Sequence, residues 1–264
     1  GIGSFAAKID NGSYLKYSFD TTQNIWTVRD KSGMVYTFGQ TTESRLSNPA
    51  DASKVFRWHL TRVQDTKGNF VSYEYAKVDN QVYPSVIFYT GNGSDQWIFK
   101  VQFNLEDRTD KAMSAKYGFM VTNTKRVENV EVFVQNTRIG KYDISYGQQA
   151  VNNRTQLTSI EYTGFDSAGQ NGISDGVVEF AYESIAATDL LTRITQNTGG
   201  QTTITYKSSA LYRDGDGTPL NPNLPFAVQT VESIEYDDRN GVTWGNSFEY
   251  AGGWFYYNGP MDRR

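Results

Sequence analysis

The strongest constraint in this chain is the brevity of its apolar runs. Hydrophobic and polar residues alternate over a few positions, reach Gly, Asn or Asp, and then the alternation starts again. A helical period is nearly absent, so the sequence predicts an all-β chain built as a meander of short antiparallel hairpins. Residues 14–19, 26–28, 34–38, 58–64, 70–75, 86–89, 97–105, 127–134, 139–146, 157–162, 177–182, 191–196, 202–206, 228–236 and 243–250 read as strands. Residues 41–58 read as a longer connection, with Pro49 keeping its first part out of a central strand. Residues 108–127 are the least strand-like part and read as a short helix or a loop. The Pro/Asn/Gly-rich crossing at 213–226 marks residues 207–226 as the best seam, which divides the chain into 1–206 and 207–264 on one continuous sheet.

Composition agrees and removes several function classes. Tyr (18) and Phe (15) supply the strand-favouring aromatics of the 264 residues, and the 24 Gly are spread as turn punctuation. A net charge of −4 leaves no basic face for phosphate neutralisation, so nucleic acid is not an expected partner. The absence of Cys removes disulfides, thiolate metal sites and cysteine nucleophiles. No apolar run reaches the roughly 20 residues of a membrane helix, so this segment is not expected to insert, and the first residues do not form a signal peptide. Both ends are abrupt, which reads as a piece of a longer chain.

Three segments repeat loosely: LTRVQDTKGNFVSYEY (60–75), LTRITQNTGGQTTITY (191–206) and VESIEYDDRNGVTWGNSFEY (231–250), with WTVRDKSGMVYTF (26–38) a shorter relative. Each has an apolar strand, a turn with Gly and a return strand, which ends in Tyr in the three longer segments. In the first, Leu60, Arg62 and Gln64 are expected on one face and Thr61 and Val63 on the other. Asp65, Gly68 and Asn69 set its turn, and Tyr73 and Tyr75 place two rings on one face of the return strand. A hairpin of this kind cannot bury its apolar face alone and needs neighbours in a continuous sheet.

The pattern D-x-x-G-N-x-x-x-Y-x-Y resembles the tyrosine–aspartate (YD) repeats of Rhs proteins. WTVRDKSGMVYTFG (26–39), carrying Trp26, Asp30, Gly33, Tyr36 and Gly39, then SRLSNP (44–49) and FRWHLTRVQDTKGNFVSYEY (56–75) resemble the SpvB-type region of the B component of bacterial insecticidal toxin complexes. LYRDGDG (211–217), NLPFAVQTV (223–231) and FEYAGGWFYYNGPMDRR (248–264) are similar to the segment that leads into that family's shell. The resemblance implies a curved, shell-like sheet that encloses a toxic effector polypeptide beside other shell or channel subunits, in a secreted, extracellular assembly that serves virulence. The chain shows no propeller repeats, no DPxGL-like cleavage motif and no ExE pair, so neither self-cleavage nor ADP-ribosyl transfer carries over.

Candidate sites are few. The single histidine, His59, lacks a nucleophile motif beside it and reads as structural. Asp214 and Asp216 offer oxygen ligands for Ca²⁺, but the twelfth position of an EF-hand begun at Asp214 is Pro225, so a tight turn is the better reading. Asp237 and Asp238 are adjacent and would diverge on a strand, which makes a glycosidase pair a minor alternative. Trp97, Trp244 and Trp254, with Phe255, Tyr256 and Tyr257, form a possible sugar-stacking surface, which sustains a second alternative of a secreted β-sandwich carbohydrate-binding or adhesin module. The leading expectation is a non-catalytic structural shell segment without a cofactor.

Overall fold

A computed structural model of the chain describes residues 1–9, 12–93, 96–183 and 189–255. It is nearly all antiparallel β, a meander of hairpins as the alternation predicts. The chain forms two compact units, one of residues 1–148 and 153–175, the other of residues 149–152 and from 176 on. The crossing at 207–226 lies inside the second unit.

In the first unit the strands are β1 (Ile2–Ala6), β2 (Lys16–Asp20), β3 (Ile25–Arg29), β4 (Val35–Phe38), β5 (Arg45–Asn48), β6 (Asp51–Trp58), β7 (Leu60–Gln64), β8 (Asn69–Val78), β9 (Gln81–Asn92), β10 (Phe99–Ser114), β11 (Val121–Val134), β12 (Thr137–Gln148) and β13 (Thr155–Gly164). They pair in sequence order, except that β5 and β6 form their own hairpin and β4 pairs directly with β7. In the second unit, β14 (Ile173–Tyr182), β15 (Leu191–Thr195), β16 (Gln201–Ser208), β17 (Gln229–Asp237) and β18 (Thr243–Ser247) pair in order, β14 starting three residues before the unit boundary.

Directly opposed residues share a face, so the registers sort the first unit into two surfaces. Phe5, Tyr17, Val28, Tyr36, Val63 and Val71 lie in one row across β1, β2, β3, β4, β7 and β8. The alternate row is Ser4, Ser18, Thr27, Thr37, Arg62 and Ser72. One face is thus apolar and the other polar. The β5–β6 hairpin contributes Leu46 to a cluster with Val82 and Val121, against which Tyr75, Tyr117 and Phe119 pack.

Three expectations need correction. Residues 108–114 are strand, the end of β10, and only residues 115–120 turn before β11. Their charges find partners within β10 and on neighbouring strands: Arg108 binds Asp110, Asp110 accepts the Thr155 hydroxyl, and Arg126 binds Glu106 and Thr155. The 41–58 connection is a hairpin: β5 and β6 meet on either side of Pro49, which sits in the tight turn between them. The strict alternation expected for 60–64 breaks at Thr61, because Leu60 opposes Phe38 while Arg62 opposes Thr37.

Candidate functional site

Among the described residues the recurring feature is a hairpin built from three parts, all present at 60–75 and shared in part by the other hairpins. The first part is the turn. Asp65 donates its N–H to the Asn69 carbonyl (2.9 Å) and accepts the Gly68 N–H at its own carbonyl (3.3 Å). Gly68 has φ +87°, the left-handed conformation that favours glycine in such a bulged turn. The Asp65 carboxylate then reaches across: Oδ1 accepts the N–H of Lys67 and of Asn69 (2.8 Å each), and Oδ2 accepts the Asn69 side chain (2.7 Å). The Asn69 amide and these backbone donors hold the Asp65 carboxyl below its ordinary pKa.

The same wiring appears at Asp30 with Gly33, Asp166 with Gly169 and Asp214 with Gly217. Tyr36 adds its hydroxyl to Asp30 Oδ2 (3.3 Å). The Asp214 Oδ1 atom accepts the N–H of Asp216 and of Thr218, which places the suspected calcium residues in a turn of this type. Asp238 receives Asn240 and Val242 in the same manner, while Asp237 binds Arg239. Every carboxyl shift resolved among the described residues is downward, and none shows the raised pKa that marks a general acid.

The second part is a bulge near the start of the hairpin. Thr61 is an extra residue in β7, as are Glu128 in β11, Thr158 in β13, Thr192 in β15 and Glu232 in β17. Bulges bend a strand and increase its twist. The two Thr hydroxyls at equivalent places cap the strand before them: Thr61 donates to the Thr37 carbonyl (3.0 Å) and Thr192 to the Ala181 carbonyl (3.1 Å).

The third part is a tyrosine clamp. The Tyr75 hydroxyl donates to the Leu60 carbonyl (2.6 Å), and Tyr206 donates to Leu191 (2.9 Å), in both cases 15 residues back. Tyr146 does the same for Val127 (2.7 Å). In each case the accepting carbonyl belongs to the residue just before the bulge, where the ladder is interrupted and a backbone group needs another partner. Tyr73 has no such part; it opposes Ile87 on the neighbouring strand. Sequence reading found the turns and the terminal tyrosines but not the bulges. The signal was present as Leu-Thr-Arg at 60–62 and 191–193, with Tyr at a fixed distance.

Between β10, β11 and β13 the sheet holds an ionic knot. Arg108 binds Asp110 through two bonds of 2.9 Å, Asp110 accepts both the N–H and the hydroxyl of Thr155, and Arg126 joins Thr155 to Glu106. The Arg108 guanidinium, then Thr155, holds the Asp110 carboxyl far below the usual carboxylate range.

His59 is half-buried. Its Nδ1 lies 3.1 Å from the Ser44 carbonyl, its N–H donates to the same oxygen (2.8 Å), and its ring stands 5.3 Å from Tyr75. Burial lowers its pKa. These contacts join β7 to the β5–β6 hairpin. The neighbouring Trp58 matters more to the surface. It meets Trp26 edge-on at 6.2 Å and Phe19 at 5.9 Å, donates Nε1 to Asn24, and lies over Gly39, whose φ of +77° and missing Cβ admit the indole. Tyr17, Trp26, Val28, Phe38 and Trp58 line an apolar recess of about 290 Å³. Of the suspected stacking residues, Trp97 packs on Phe88 (4.5 Å) in the first unit. In the second, Trp244 stacks on Tyr236 (4.0 Å), and Trp254 is 79% exposed next to Phe255, which meets Phe226. Tyr256 and Tyr257 lie outside the described residues.

Two family models divide the chain. One, described as the Salmonella virulence plasmid 65kDa B protein, matches residues 7–136. The other, the middle/N-terminal region of the insecticide toxin TcdB, matches residues 144–261. No curated protein matches the chain. The N-terminal domain of the effector protein SpvB from Salmonella typhimurium strain LT2 is similar in structure, with TM-score 0.55, 17% identity, and 62% of this chain covered against 69% of that one. A Photorhabdus luminescens Tc holotoxin pore gives TM-score 0.59 and 12% identity over 89% of this chain. The crystal structure of TcdB2-TccC3-TEV gives 0.61 and 14% over 88%. The chain spans only 16% and 15% of those two toxin-complex chains.

Proposed function

We propose that this chain, matched by the SpvB model over residues 7–136 and by the TcdB model over residues 144–261, is a non-catalytic piece of wall that helps enclose a toxic effector polypeptide for delivery. The observation that carries this reading is the repeated bulge-and-clamp hairpin. Each copy ties its own interrupted backbone with a tyrosine hydroxyl, so the sheet extends strand by strand, and among the described residues few apolar side chains are fully buried. The polar face also masks its rings. Arg62 lies 3.7 Å from the centre of Phe70, Lys100 3.9 Å from Phe133 and Arg138 4.1 Å from Phe165. A surface whose aromatic faces are covered by cations offers little sticky area to an unfolded guest. In this reading the hairpins are YD-type repeats, the partners are the enclosed effector and adjoining shell or channel subunits, and the assembly works outside the cell.

The test is protease protection of the effector inside the assembled toxin. With the wild-type B component the effector resists digestion. Replacing residues 60–75 by a Gly/Ser loop is expected to open the wall and expose it. Equal protection in both assemblies would sink the proposal.

A further inference from the structure

We propose that the polar face of the first unit carries an oxyanion site between β2 and β3, suited to the phosphate or sulfate group of an ester. Lys16 and Arg29 oppose each other across this ladder, and the next pair on the same face is Ser18 and Thr27. These four side chains line one recess of about 230 Å³. That is several times the roughly 30 Å³ share of a water molecule, enough for a tetrahedral oxyanion and the first atoms of its ester.

Two like charges directly opposite on a sheet repel. Among the described residues neither cation meets a carboxylate, a carbonyl or a ring, and neither hydroxyl has a hydrogen-bond partner. The described carboxylates that flank β2 and β3 in sequence accept backbone donors: Asp20 those of Thr22 and Gln23, and Asp30 those of Ser32 and Met34. Further along the same face, Arg62 and Lys100 lie over rings, and Arg138 is bound to Glu131. Among the described residues the recess therefore presents an ammonium, a planar guanidinium fork and two hydroxyl donors with no carboxylate bound to them, the donor set that a tetrahedral oxyanion takes.

The test is a titration of the 264-residue chain, followed by calorimetry and by amide shifts of β2 and β3. The probes are methyl phosphate, methyl sulfate, inorganic phosphate, inorganic sulfate and, at matched ionic strength, sodium chloride. Saturable binding of the oxyanions, at least as tight for an ester as for its free ion, is expected. Lys16→Gln and Arg29→Gln should each weaken it about tenfold, the loss of one charge-assisted bond. Arg29→Lys, which keeps the charge but not the fork, should fall between. Without anion, Lys16→Gln should melt no lower than the wild type, since it relieves the repulsion; this separates lost binding from lost folding. A chloride-like, non-saturating response, or unchanged affinity in both Gln variants, would overturn the site. Binding of the free ions with exclusion of both esters would overturn the ester assignment.

Discussion

The hairpins at 60–75 and 191–206 lie in different units and share all but one device. Both start with Leu-Thr-Arg, both carry Thr as the bulged residue, and both close with a tyrosine hydroxyl on the leucine carbonyl. They part at the turn. The first has Asp65, whose carboxylate gathers backbone donors. The second has Gln196 there, yet its backbone makes the same two bonds, Gln196 N–H to the Gly200 carbonyl (2.8 Å) and Gly199 N–H to the Gln196 carbonyl (2.9 Å). The left-handed glycine, Gly68 or Gly199, thus sets the shape of the turn, and the aspartate adds to its hold.

The largest effects should come from those glycines. Gly68→Val and Gly199→Val force a β-branched residue to φ +87° and +92°, at a cost on the order of 2 kcal/mol each in urea unfolding. Near-equal losses are expected despite the different partner residue, and a loss confined to Gly68 would show that the carboxylate, not the glycine, directs the turn. Next come the clamps. Tyr75→Phe and Tyr206→Phe leave a carbonyl unpaired at a bulge and should each cost about 1–2 kcal/mol. Burial raises the pKa of both hydroxyls, so the neutral donor is favoured by folding. That contribution is complete below the unfolded tyrosine value and is lost as pH rises through the folded one. Alkaline unfolding should therefore be shallower in the Phe variants, and an identical alkaline slope would remove the clamp from the account. Thr61→Val and Thr192→Val keep the shape of the bulge but lose its cap, at about 1 kcal/mol.

The smallest and most discriminating change exchanges the turns. Gln196→Asp should raise the melting temperature and Asp65→Gln should lower it. An aspartate with a depressed folded pKa contributes above its unfolded value and loses that contribution as pH falls through the folded one. The gain from Gln196→Asp should therefore vanish in acid, and a gain that persists at pH 2 would point to some other cause.

The sequence was most readable where local chemistry decides the backbone. Asp and Gly three residues apart dictate a turn whatever surrounds them, so the turns at Asp65 and Asp30 were visible directly, and with them the β class. The bulges were hidden because one extra residue shifts the phase of an alternating pattern without changing its composition; Thr61 looks like any strand threonine. Residues 108–114 were misread because their charges find partners only when β11 and β13 lie alongside, a fact of tertiary structure. Trp58 was overshadowed by His59, since nothing local reveals that it lies over Gly39 and completes the recess with Trp26. Residue type alone points to Trp97, Trp244 and Trp254, and type does not tell which rings meet: Trp97 packs on Phe88 and Trp244 on Tyr236.

A hairpin whose turn, bulged residue and clamp all lie within sixteen residues carries its wiring with it and needs only a strand beside it for the bulge to form against. It enters and leaves on adjacent strands, so an added or deleted copy would shift the sheet by two strands and leave the inward and outward sides of every other strand as they were. A sheet made of such pieces lengthens by duplication without any change to the strands already in place.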